Sequence, residues 1–477
     1  MTNNSRFYFV LLSVSAAIGL GNIWLYPFVS FKSTGLLFVP YIAALLILGA
    51  PLLMLELSIG QYFGKNAVDL FASAGKWFSA IGWYMIFNAF IVMSYFAVIL
   101  SWHIIYFFVS FGLQYSNDPE SYFFNNVIQL SEGFSGFTQV SMPVFTVLLI
   151  VWVLVFLYIK SGIDSVKKGF LIMLPVFVAL LLGFLLYSLT LDSALAGVYA
   201  FLKPDFMALL SLDIWVAAFY LAAVSLGLSF GVFSAFARKS RVGFIVGNSV
   251  IVVIFEFLTS IVMGFILFGI IGFLNADLNT LVFSDFGSPF ITFTHALPLF
   301  YKPTLLSLLF FAFLSMFFVF AAVSLAYSIS DVLVKKLKTK KINAAIIVSG
   351  FGFLFGLLFV IKPGFFIMDI VNHFVQYNVL LIILLETVAF GWFFDMQKLS
   401  NYINQHSYLK IGGLFKFFVR YIAPLVLLLL LFLQLHADYY AGYRNYAWQY
   451  IMIFGVGAVA LPLVASLLMP QRLLDRR

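Results

Sequence analysis

The dominant pattern along the sequence is a series of apolar stretches, each long enough to cross a membrane, separated by short segments that carry the polar and charged residues. A hydrocarbon core about 30 Å thick needs roughly 20 helical residues. Continuous apolar runs, rather than ten-residue segments of alternating polarity, predict helices and not a β-barrel. We count twelve such stretches, near residues 7–31, 36–60, 77–112, 141–159, 166–191, 211–236, 243–274, 303–334, 342–361, 369–395, 411–436 and 444–469. The sequence therefore predicts an all-α integral membrane protein with twelve transmembrane helices.

Two of the predicted spans are interrupted by glycine in their middle. The first contains Gly19-Leu20-Gly21-Asn22 followed by Pro27, and the sixth contains Gly227 and Gly231 in the stretch 225–231. A single cluster of small residues would favour close helix packing. Two clusters that lie five spans apart favour a repeat of five helices, because an odd-numbered unit must insert its second copy upside down.

We therefore predict an inverted 5+5 repeat with unwound helices 1 and 6. The first five-helix unit would occupy residues 1–200, the second 201–400, and residues 401–477 would form helices 11 and 12 with a short cytoplasmic tail. Paired, interrupted spans in two inverted halves typically mark the binding site of a secondary transporter near the bilayer midplane. There, helix N-termini can hold an anionic group and freed carbonyls can hold a cation.

Composition narrows the function classes further. Of the 477 residues, 64% are hydrophobic and only 9% are charged, whereas soluble domains carry about 25% charged residues. Soluble enzymes, nucleic-acid binders and secreted disulfide scaffolds are thereby excluded. The chain has no cysteine, which removes disulfides, thiolate metal sites and cysteine catalysis. It contains neither a Walker-type phosphate-binding loop nor an HExxH motif, so we expect no enzymatic activity.

The net charge of +8 is explained by membrane orientation. With a cytoplasmic N-terminus, 21 of the 26 basic residues fall on the inside, and the other five fall outside: Lys32, Lys203, Lys302, Lys362 and Arg444. The positive-inside rule then predicts that both termini are cytoplasmic. A cleaved signal peptide is disfavoured, because its basic region would contain only Arg6 and its loss would reverse the topology.

We expect the protein in the cell membrane, which is the inner membrane if the cell is Gram-negative. Its expected partners are a small-molecule substrate and the lipid bilayer, without nucleic acid, and the expected state is a monomer or a weak homodimer.

Several motifs together resemble the neurotransmitter:sodium symporter family, whose bacterial members have the LeuT-type fold. The matching segments span nearly the whole chain in order: Ser5-Arg6, Ala17-Ile18-Gly19-Leu20-Gly21-Asn22-Ile23-Trp24 with Pro27, Pro40-Tyr41, Gly49-Ala50-Pro51 through Glu56 to Gly60, Trp215-Val216-Ala217-Ala218 into Ser225-Leu226, Thr259-Ser260 with Gly264, and Asp369-Ile370-Val371-Asn372-His373-Phe374. The family couples inward sodium flow to the uptake of amino acids or related amines. The resemblance implies one or two Na⁺ ions as cofactors.

The resemblance also implies positions for the ion and substrate sites. A first sodium site would use the carbonyl of Ala17, the side chain of Asn22, the hydroxyl and carbonyl of Ser225, and Glu256. A second site would use the carbonyls of Ser15, Ile18 and Ala312 with the hydroxyl of Ser315. The backbone amides of Leu20 and Gly21 would bind the substrate carboxylate, and the carbonyls of Ala17, Val224, Ser225 and Gly227 its amine. The walls of the pocket would be Val92, Phe96, Val224, Phe230, Met316 and Phe320.

The chain departs from the family at several of these positions. The third-helix tyrosine pair is Tyr95-Phe96 here, so the hydroxyl that usually binds the substrate carboxylate is missing. Met316 replaces a second hydroxyl of the second sodium site. The outer salt bridge is replaced by Leu25 and Asn372, which are both neutral, as expected of a rebuilt gate. The Arg and Trp that close the cytoplasmic side in the family have no counterpart before Arg6.

Glu256 is the least expected residue, because the family usually has an Asn of the first sodium site three residues before Thr259. A carboxylate in mid-bilayer costs about 2.5–3.5 kcal/mol on insertion scales and is a functional candidate by default. If ionised, Glu256 would supply the negative charge that animal relatives obtain from chloride, so chloride is not expected as a cofactor. It could instead accept a coupling proton, or be a protonated structural group. Glu56, Glu386, His103, His373 and His295 are interpreted as structural or loop residues.

Three functions follow as hypotheses. The leading one is a sodium-coupled symporter that imports a small amino acid or amino-acid-like solute by alternating access. The second is a proton-coupled transporter of the same fold that uses Glu256. The third is a non-transporting ligand sensor or membrane subunit.

Overall fold

A computed structural model describes residues 3–18, 22, 26–32, 37–203, 206–240, 243–275 and 288–469. Within these ranges the chain is built from helices and their connections, and its β-structure consists of one isolated bridge between Val140 and Ile361. The principal helices, numbered in chain order, are α1 (Asn3–Ala17), α2 (Tyr26–Lys32), α3 (Phe38–Phe63), α4 (Ala67–Ala72), α5 (Lys76–Val109), α6 (Met142–Ile159), α7 (Ile163–Leu189), α8 (Ala194–Leu202), α9 (Leu212–Ser225), α10 (Val232–Ser240), α11 (Ile245–Leu274), α12 (Ser288–Ala296), α13 (Pro303–Lys336), α14 (Lys341–Phe359), α15 (Gly364–Phe393), α16 (Met396–Gln405), α17 (Gly413–Ala441) and α18 (Trp448–Leu468).

Ten of these helices are long and apolar enough to cross a membrane: α3, α5, α6, α7, α11, α13, α14, α15, α17 and α18. Two shorter apolar helices lie in the first and sixth predicted spans, where the apolar part of α1 and the whole of α9 each cover less than one bilayer thickness. The described chain is therefore a multi-pass membrane protein. The count of twelve spans and the inverted repeat stay predictions.

Local sequence explains where several helices begin and end. Asn66, Ser211 and Asp395 each accept a backbone N–H of the following first turn, as N-cap residues do. Gly64 ends α3 with a left-handed backbone at φ +62°, which a glycine adopts without steric cost. The short connections that these caps allow keep consecutive helices close together.

The helices differ in how far they are buried, and this places the core. In the most apolar stretch of α5, 89% of the residues are buried, against 22% in the corresponding stretches of α7, α17 and α18. The helix α5 packs most extensively against α13, so these two form the centre of the bundle. The helices α7, α17 and α18 contribute the outer surface, which must face lipid.

A smaller set of helices surrounds the interrupted sixth span. The helix α1 packs on α10, α11 and α13, while α3 packs on α9, α10 and α11. The approach of α10 to α3 is close at Gly60, where a Cβ atom would lie 2.7 Å from the carbonyl oxygen of Ser234. Only glycine fits at that contact, and it brings the second half of the sixth span against α3.

Candidate functional site

The sixth predicted span consists of two helices, α9 and α10, joined by the non-helical residues 226–231. Three alternate residues of this segment, Gly227, Ser229 and Gly231, have positive φ angles of 68°, 72° and 67°. A non-glycine residue such as Ser229 rarely adopts this conformation. The segment therefore interrupts the hydrogen-bond ladder in the middle of an apolar span.

Neighbouring helices satisfy backbone groups that this interruption releases. Glu56 of α3 accepts a hydrogen bond from the backbone N–H of Ser229, with 2.8 Å between Oε1 and N. Ser328 of α13 donates its hydroxyl to the carbonyl of Phe230 at 2.8 Å. Irregular backbone at membrane depth is tolerated where protein groups satisfy it in this way. Glu56 thus has a structural contact, as interpreted from the sequence.

The first predicted span also contains two helices, because α1 ends at Ala17 and α2 begins at Tyr26. The backbone N–H of Ile18 still bonds to the carbonyl of Val14 at 3.2 Å. The predicted substrate-binding residues Leu20 and Gly21 lie outside the described residues. A Cβ added to Gly227 would lie 3.3 Å from the carbonyl oxygen of Ala16, so the segment 226–231 passes beside the end of α1.

Glu256 of α11 lies at the centre of a buried polar cluster in the same region. Its Oε1 accepts hydrogen bonds from the Tyr41 hydroxyl, from Asn22 Nδ2 at 3.0 Å and from Ser260 Oγ at 3.4 Å. Asn22 Nδ2 also lies 2.9 Å from Ser260 Oγ and 3.2 Å from the carbonyl oxygen of Glu256. Ser225 Oγ lies 2.9 Å from the Tyr41 hydroxyl. The structure thus brings together Asn22, Ser225 and Glu256, three predicted members of the first sodium site.

The directions of these hydrogen bonds determine which atoms can hold a cation. A tyrosine has one hydroxyl proton, and Tyr41 donates it to Glu256, so Ser225 must donate its own proton to Tyr41. The lone pairs of Ser225 Oγ then point away from that bond. Asn22 uses its amide nitrogen in the contacts above, whereas a cation would require its side-chain oxygen.

The second carboxylate oxygen of Glu256, Oε2, is buried and has no hydrogen-bond partner among the described residues. A buried carboxylate oxygen without a donor is costly unless a cation or a proton compensates it. Together with Ser225 Oγ, this oxygen gives the cluster the hard oxygen donors that suit an alkali cation. A sodium ion and a proton are therefore the two candidates for this position.

The residues of the predicted second sodium site form a less polar group. Ala312 and Ser315 lie one turn apart on α13 and are both half-buried. The Ser315 hydroxyl donates to the carbonyl of Phe311 in its own helix at 2.7 Å. The hydroxyl of Ser15 on α1 is buried and has no partner among the described residues. The helix α1 packs on α13, but among the described residues no side-chain hydrogen bond joins Ser15 to α13.

The predicted pocket walls are placed in two different ways. Val224, Phe230 and Met316 are half-buried, as is Gly227, whose carbonyl is predicted to face the substrate amine. Val92 and Phe96 are buried, as is Phe320. The ring of Phe96 contacts Phe318 at 5.7 Å between ring centroids, and Phe320 instead packs on Phe170 and Phe177 of α7 at 5.0 and 5.8 Å. The Phe320 ring therefore packs towards α7, and Phe318 is the α13 ring that meets Phe96.

A family model with the description "Sodium:neurotransmitter symporter family" matches residues 1–116 and 113–474. The chain belongs to this family. Among its relatives is an uncharacterized sodium-dependent transporter of Methanocaldococcus jannaschii, 32% identical over 480 residues that cover 98% of this chain and 97% of the relative. A sodium-dependent nutrient amino acid transporter of Drosophila virilis is 26% identical over 520 residues, which cover 95% of this chain and 81% of the relative. The corresponding Drosophila yakuba protein is 26% identical over 530 residues.

Asn372, one of the two residues predicted to form a neutral gate, makes a neutral contact in the structure. Asn372 of α15 accepts a hydrogen bond from the Tyr95 hydroxyl at 3.1 Å, and this bond joins α15 to α5. Leu25, the other predicted neutral gate residue, lies outside the described residues. Other polar contacts lie near Asn372 on the same helix. His373 contacts Asp438 at 2.6 Å, and buried Asp369 contacts Arg444 at 3.1 Å.

The opposite end of the bundle carries two ion pairs that the sequence analysis did not find. Arg238 of α10 pairs with Asp331 of α13, and both side chains are buried. Lys336 of α13 pairs with Asp69 of α4. Removing one partner of a buried pair costs about 3–5 kcal/mol. The two pairs join α10 to α13 and α13 to α4 at this end of the bundle.

Two members of the Glu256 cluster, Tyr41 and Ser260, were also missed. Both lie in segments that resemble the family, and Ser260 follows Glu256 by four residues, which places it on the same helix face. No spacing rule could bring Tyr41 from α3 to this position. Of the histidines, His103 is buried with Nδ1 2.8 Å from the carbonyl oxygen of Ile99, and His295 is exposed on α12.

Proposed function

We propose that this family member is a sodium-coupled secondary active symporter that imports a small amino acid or an amino-acid-like solute. The observation that carries the proposal is the Glu256 cluster, in which a buried carboxylate has one oxygen saturated with donors and the other without any. A monovalent cation at Oε2 would neutralise the carboxylate and use Ser225, Asn22 and the carbonyl of Ala17 as neutral ligands. One or two Na⁺ ions would bind in each cycle.

In this proposal, the ion and the substrate are coupled through the interrupted spans. Ser225 is the last residue of α9, so an ion that it holds stabilises one geometry of the segment 226–231. The same segment supplies the proposed carbonyl of Gly227 to the substrate amine. Alternating access would then open the outer contacts at Tyr95 and Asn372 in one state, and the pair Arg238–Asp331 in the other.

The substrate class follows from the groups near Phe96. This position offers a ring without a hydroxyl, and the neighbouring Tyr95 donates its hydroxyl to Asn372. The backbone amides of Leu20 and Gly21 would therefore provide the main contact for a carboxylate. The half-buried Val224, Phe230 and Met316 favour a small apolar side chain on the substrate. The named amino acid transporters of Drosophila are distant relatives that agree with this class.

A proton at Glu256 is the alternative. The same observation favours it, since a proton on the unpartnered Oε2 would also neutralise the buried carboxylate. The protein would then be a proton-coupled transporter with the same architecture. The two proposals differ in one respect: sodium needs the oxygen atoms of Asn22 and Ser225 as ligands, whereas a proton needs only the carboxylate.

The test is uptake of radiolabelled amino acids into proteoliposomes under an imposed gradient of either sodium or protons. We expect accumulation driven by inward sodium and unchanged when gluconate replaces chloride, because Glu256 supplies the negative charge. If accumulation persists without sodium and collapses with the pH gradient, the coupling ion is the proton and not sodium. A strict chloride requirement would contradict the role of Glu256, and absence of both flux and ligand-induced stabilisation would favour a non-transporting membrane subunit.

The proposal also covers the membrane in which the protein lies and its orientation there. The protein would lie in the cell membrane with both termini in the cytoplasm, as a monomer or weak homodimer, with the first five-helix unit at residues 1–200 and the inverted one at 201–400. Labelling of a cysteine introduced at Lys340 only after permeabilisation of cells would support this orientation, since the chain has no native cysteine.

A further inference from the structure

A cavity of about 860 Å³ lies at the end of the bundle where the basic residues are concentrated, apart from the Glu256 cluster. It is formed by the end of α3, the segment before α11, and the end of α16 with the loop that follows. The described residues that line it are Gln61, Tyr62, Gly243, Phe244, Tyr402, Gln405, His406, Ser407, Tyr408 and Lys410. Its volume is in the range of about 300–1,000 Å³ that is typical of ligand sites.

Gln61 is the residue of this cavity that indicates a ligand. Its side chain is almost completely buried, with 4% of the residue exposed, and neither Nε2 nor Oε1 has a hydrogen-bond partner among the described residues. Leaving a buried polar group unpaired costs about 1–3 kcal/mol. The amide needs a partner that both accepts and donates hydrogen bonds.

Lys410 provides a positive charge in the lining of the same cavity. Its ammonium donates to the carbonyl oxygens of Asn404 at 2.5 Å and Ser407 at 3.1 Å, which uses two of its three N–H bonds. The loop is closed by the Asn404 side chain, which bonds to the backbone N–H and carbonyl of Ile411 at 2.7 and 3.1 Å. None of the described lining residues is acidic. The third N–H of Lys410 therefore suits an anion.

A second cationic group lies behind the cavity wall. The guanidinium of Arg6 sits 4.4 Å from the ring centroid of Phe244, and it donates a hydrogen bond to Asn248. The Phe244 ring in turn contacts that of Tyr408 at 4.7 Å. The cavity thus combines positive potential with aromatic walls, which suits an amphiphilic anion better than a simple one.

The surroundings of the loop indicate that the anion belongs to a lipid. Tyr408, Leu409 and Leu414 are 84%, 62% and 68% exposed, and an exposed apolar rim of this kind is expected where the chain meets the membrane interface. The same segment, residues 396–421, carries Lys398, Lys410, Lys416 and Arg420 against the single preceding acid Asp395. Basic clusters beside transmembrane helices attract anionic lipids.

We propose that this cavity binds the headgroup of an anionic phospholipid with a free hydroxyl, such as phosphatidylglycerol. A phosphate oxygen accepts from Lys410 and from Gln61 Nε2, and a headgroup hydroxyl donates to Gln61 Oε1. The acyl chains leave over the apolar rim at Leu409 and Leu414. The bound lipid joins α3 to the loop between α16 and α17.

Native mass spectrometry of the full-length protein in detergent tests this site. We expect one phosphatidylglycerol molecule to be retained by the unmodified protein, and phosphatidylcholine not to be retained. Because a basic residue near the surface contributes about 1 kcal/mol, Lys410→Gln should weaken phosphatidylglycerol binding roughly fivefold. Gln61→Leu should weaken it similarly. Lys398→Gln is the matched control, since Lys398 lies in the same segment, pairs with Asp395 and does not line the cavity.

A thermal-stability measurement provides the second readout. In detergent micelles that contain phosphatidylcholine, Gln61→Leu should unfold at the same or a higher temperature than the unmodified protein, because it removes an unpaired buried amide. It should nevertheless lose the stabilisation by phosphatidylglycerol. Equal binding by all variants would overturn the proposal. If free glycerol phosphate or inorganic phosphate stabilises the protein as much as phosphatidylglycerol does, the site binds a soluble anion and the proposal of a lipid site is wrong. None of these readouts depends on transport.

Discussion

The two predicted ion sites differ in how many helices contribute polar side chains. At Glu256, hydrogen bonds join α3, α9 and α11 to Asn22 of the interrupted first span. At Ser315, the only side-chain hydroxyl of the site is bonded to its own helix, and Met316 stands where the family has a second hydroxyl. The first predicted site would therefore be built around a charge, whereas the second would depend almost entirely on backbone carbonyls.

This difference indicates which of the two sites should contribute more free energy to ion binding. A carboxylate about 4 Å from a monovalent cation contributes about 4 kcal/mol at an effective dielectric constant of 20, while a neutral hydrogen-bonding group contributes about 1 kcal/mol. Sodium dependence in this family member should then rest mainly on the Glu256 cluster. Substitutions at the two sites can separate their contributions.

The largest effect is expected for Glu256→Gln, which keeps the size of the side chain and removes its charge. The apparent sodium affinity, measured as the sodium concentration for half-maximal uptake, should fall by about a hundredfold or more. Glu132→Gln is the control, because Glu132 is exposed in the connection between α5 and α6. A variant that keeps its sodium dependence would mean that Glu256 does not bind the ion.

Tyr41→Phe should have the next largest effect, since it removes one donor to Glu256 and the acceptor of the Ser225 hydroxyl. A hydrogen bond to a charged group is worth about 1.5–3 kcal/mol, so the apparent sodium affinity should fall by roughly tenfold or more. Tyr84→Phe removes an equally buried hydroxyl that bonds to Asn378 and should leave sodium affinity unchanged. Equal effects of the two variants would indicate a general loss of packing.

The comparison also shows what the sequence could and could not predict. Apolar length predicted where the membrane-crossing helices lie, because a span of the bilayer requires a run of fixed length. Glycine spacing and family motifs selected Asn22, Ser225 and Glu256, and these do come together. The sequence could not predict that Tyr41 links two of them, because that contact depends on how α3 packs against α9 and α11.

The direction in which a side chain points was also not predictable from the sequence. Phe320 was predicted as a pocket wall, but its ring packs on Phe170 and Phe177 of α7. The ion pair Arg238–Asp331 was missed because its residues are 93 positions apart in the sequence. Position along a helix indicates a face, whereas the partner of a long side chain depends on the three-dimensional packing of the other helices.

The smallest effects are expected at the second site, where they can still show whether it is used. Ser315→Ala removes one neutral ligand, so apparent sodium affinity should fall by no more than about fivefold. Met316→Ser restores the second hydroxyl and should raise affinity by a similar factor, with a steeper dependence of uptake on sodium if a second ion then binds. If neither variant changes the sodium titration while Glu256→Gln abolishes it, one ion is coupled per cycle. If Ser315→Ala is as severe as Glu256→Gln, the backbone carbonyls around it hold an ion as firmly as a buried carboxylate does, and the contrast between the two sites is wrong.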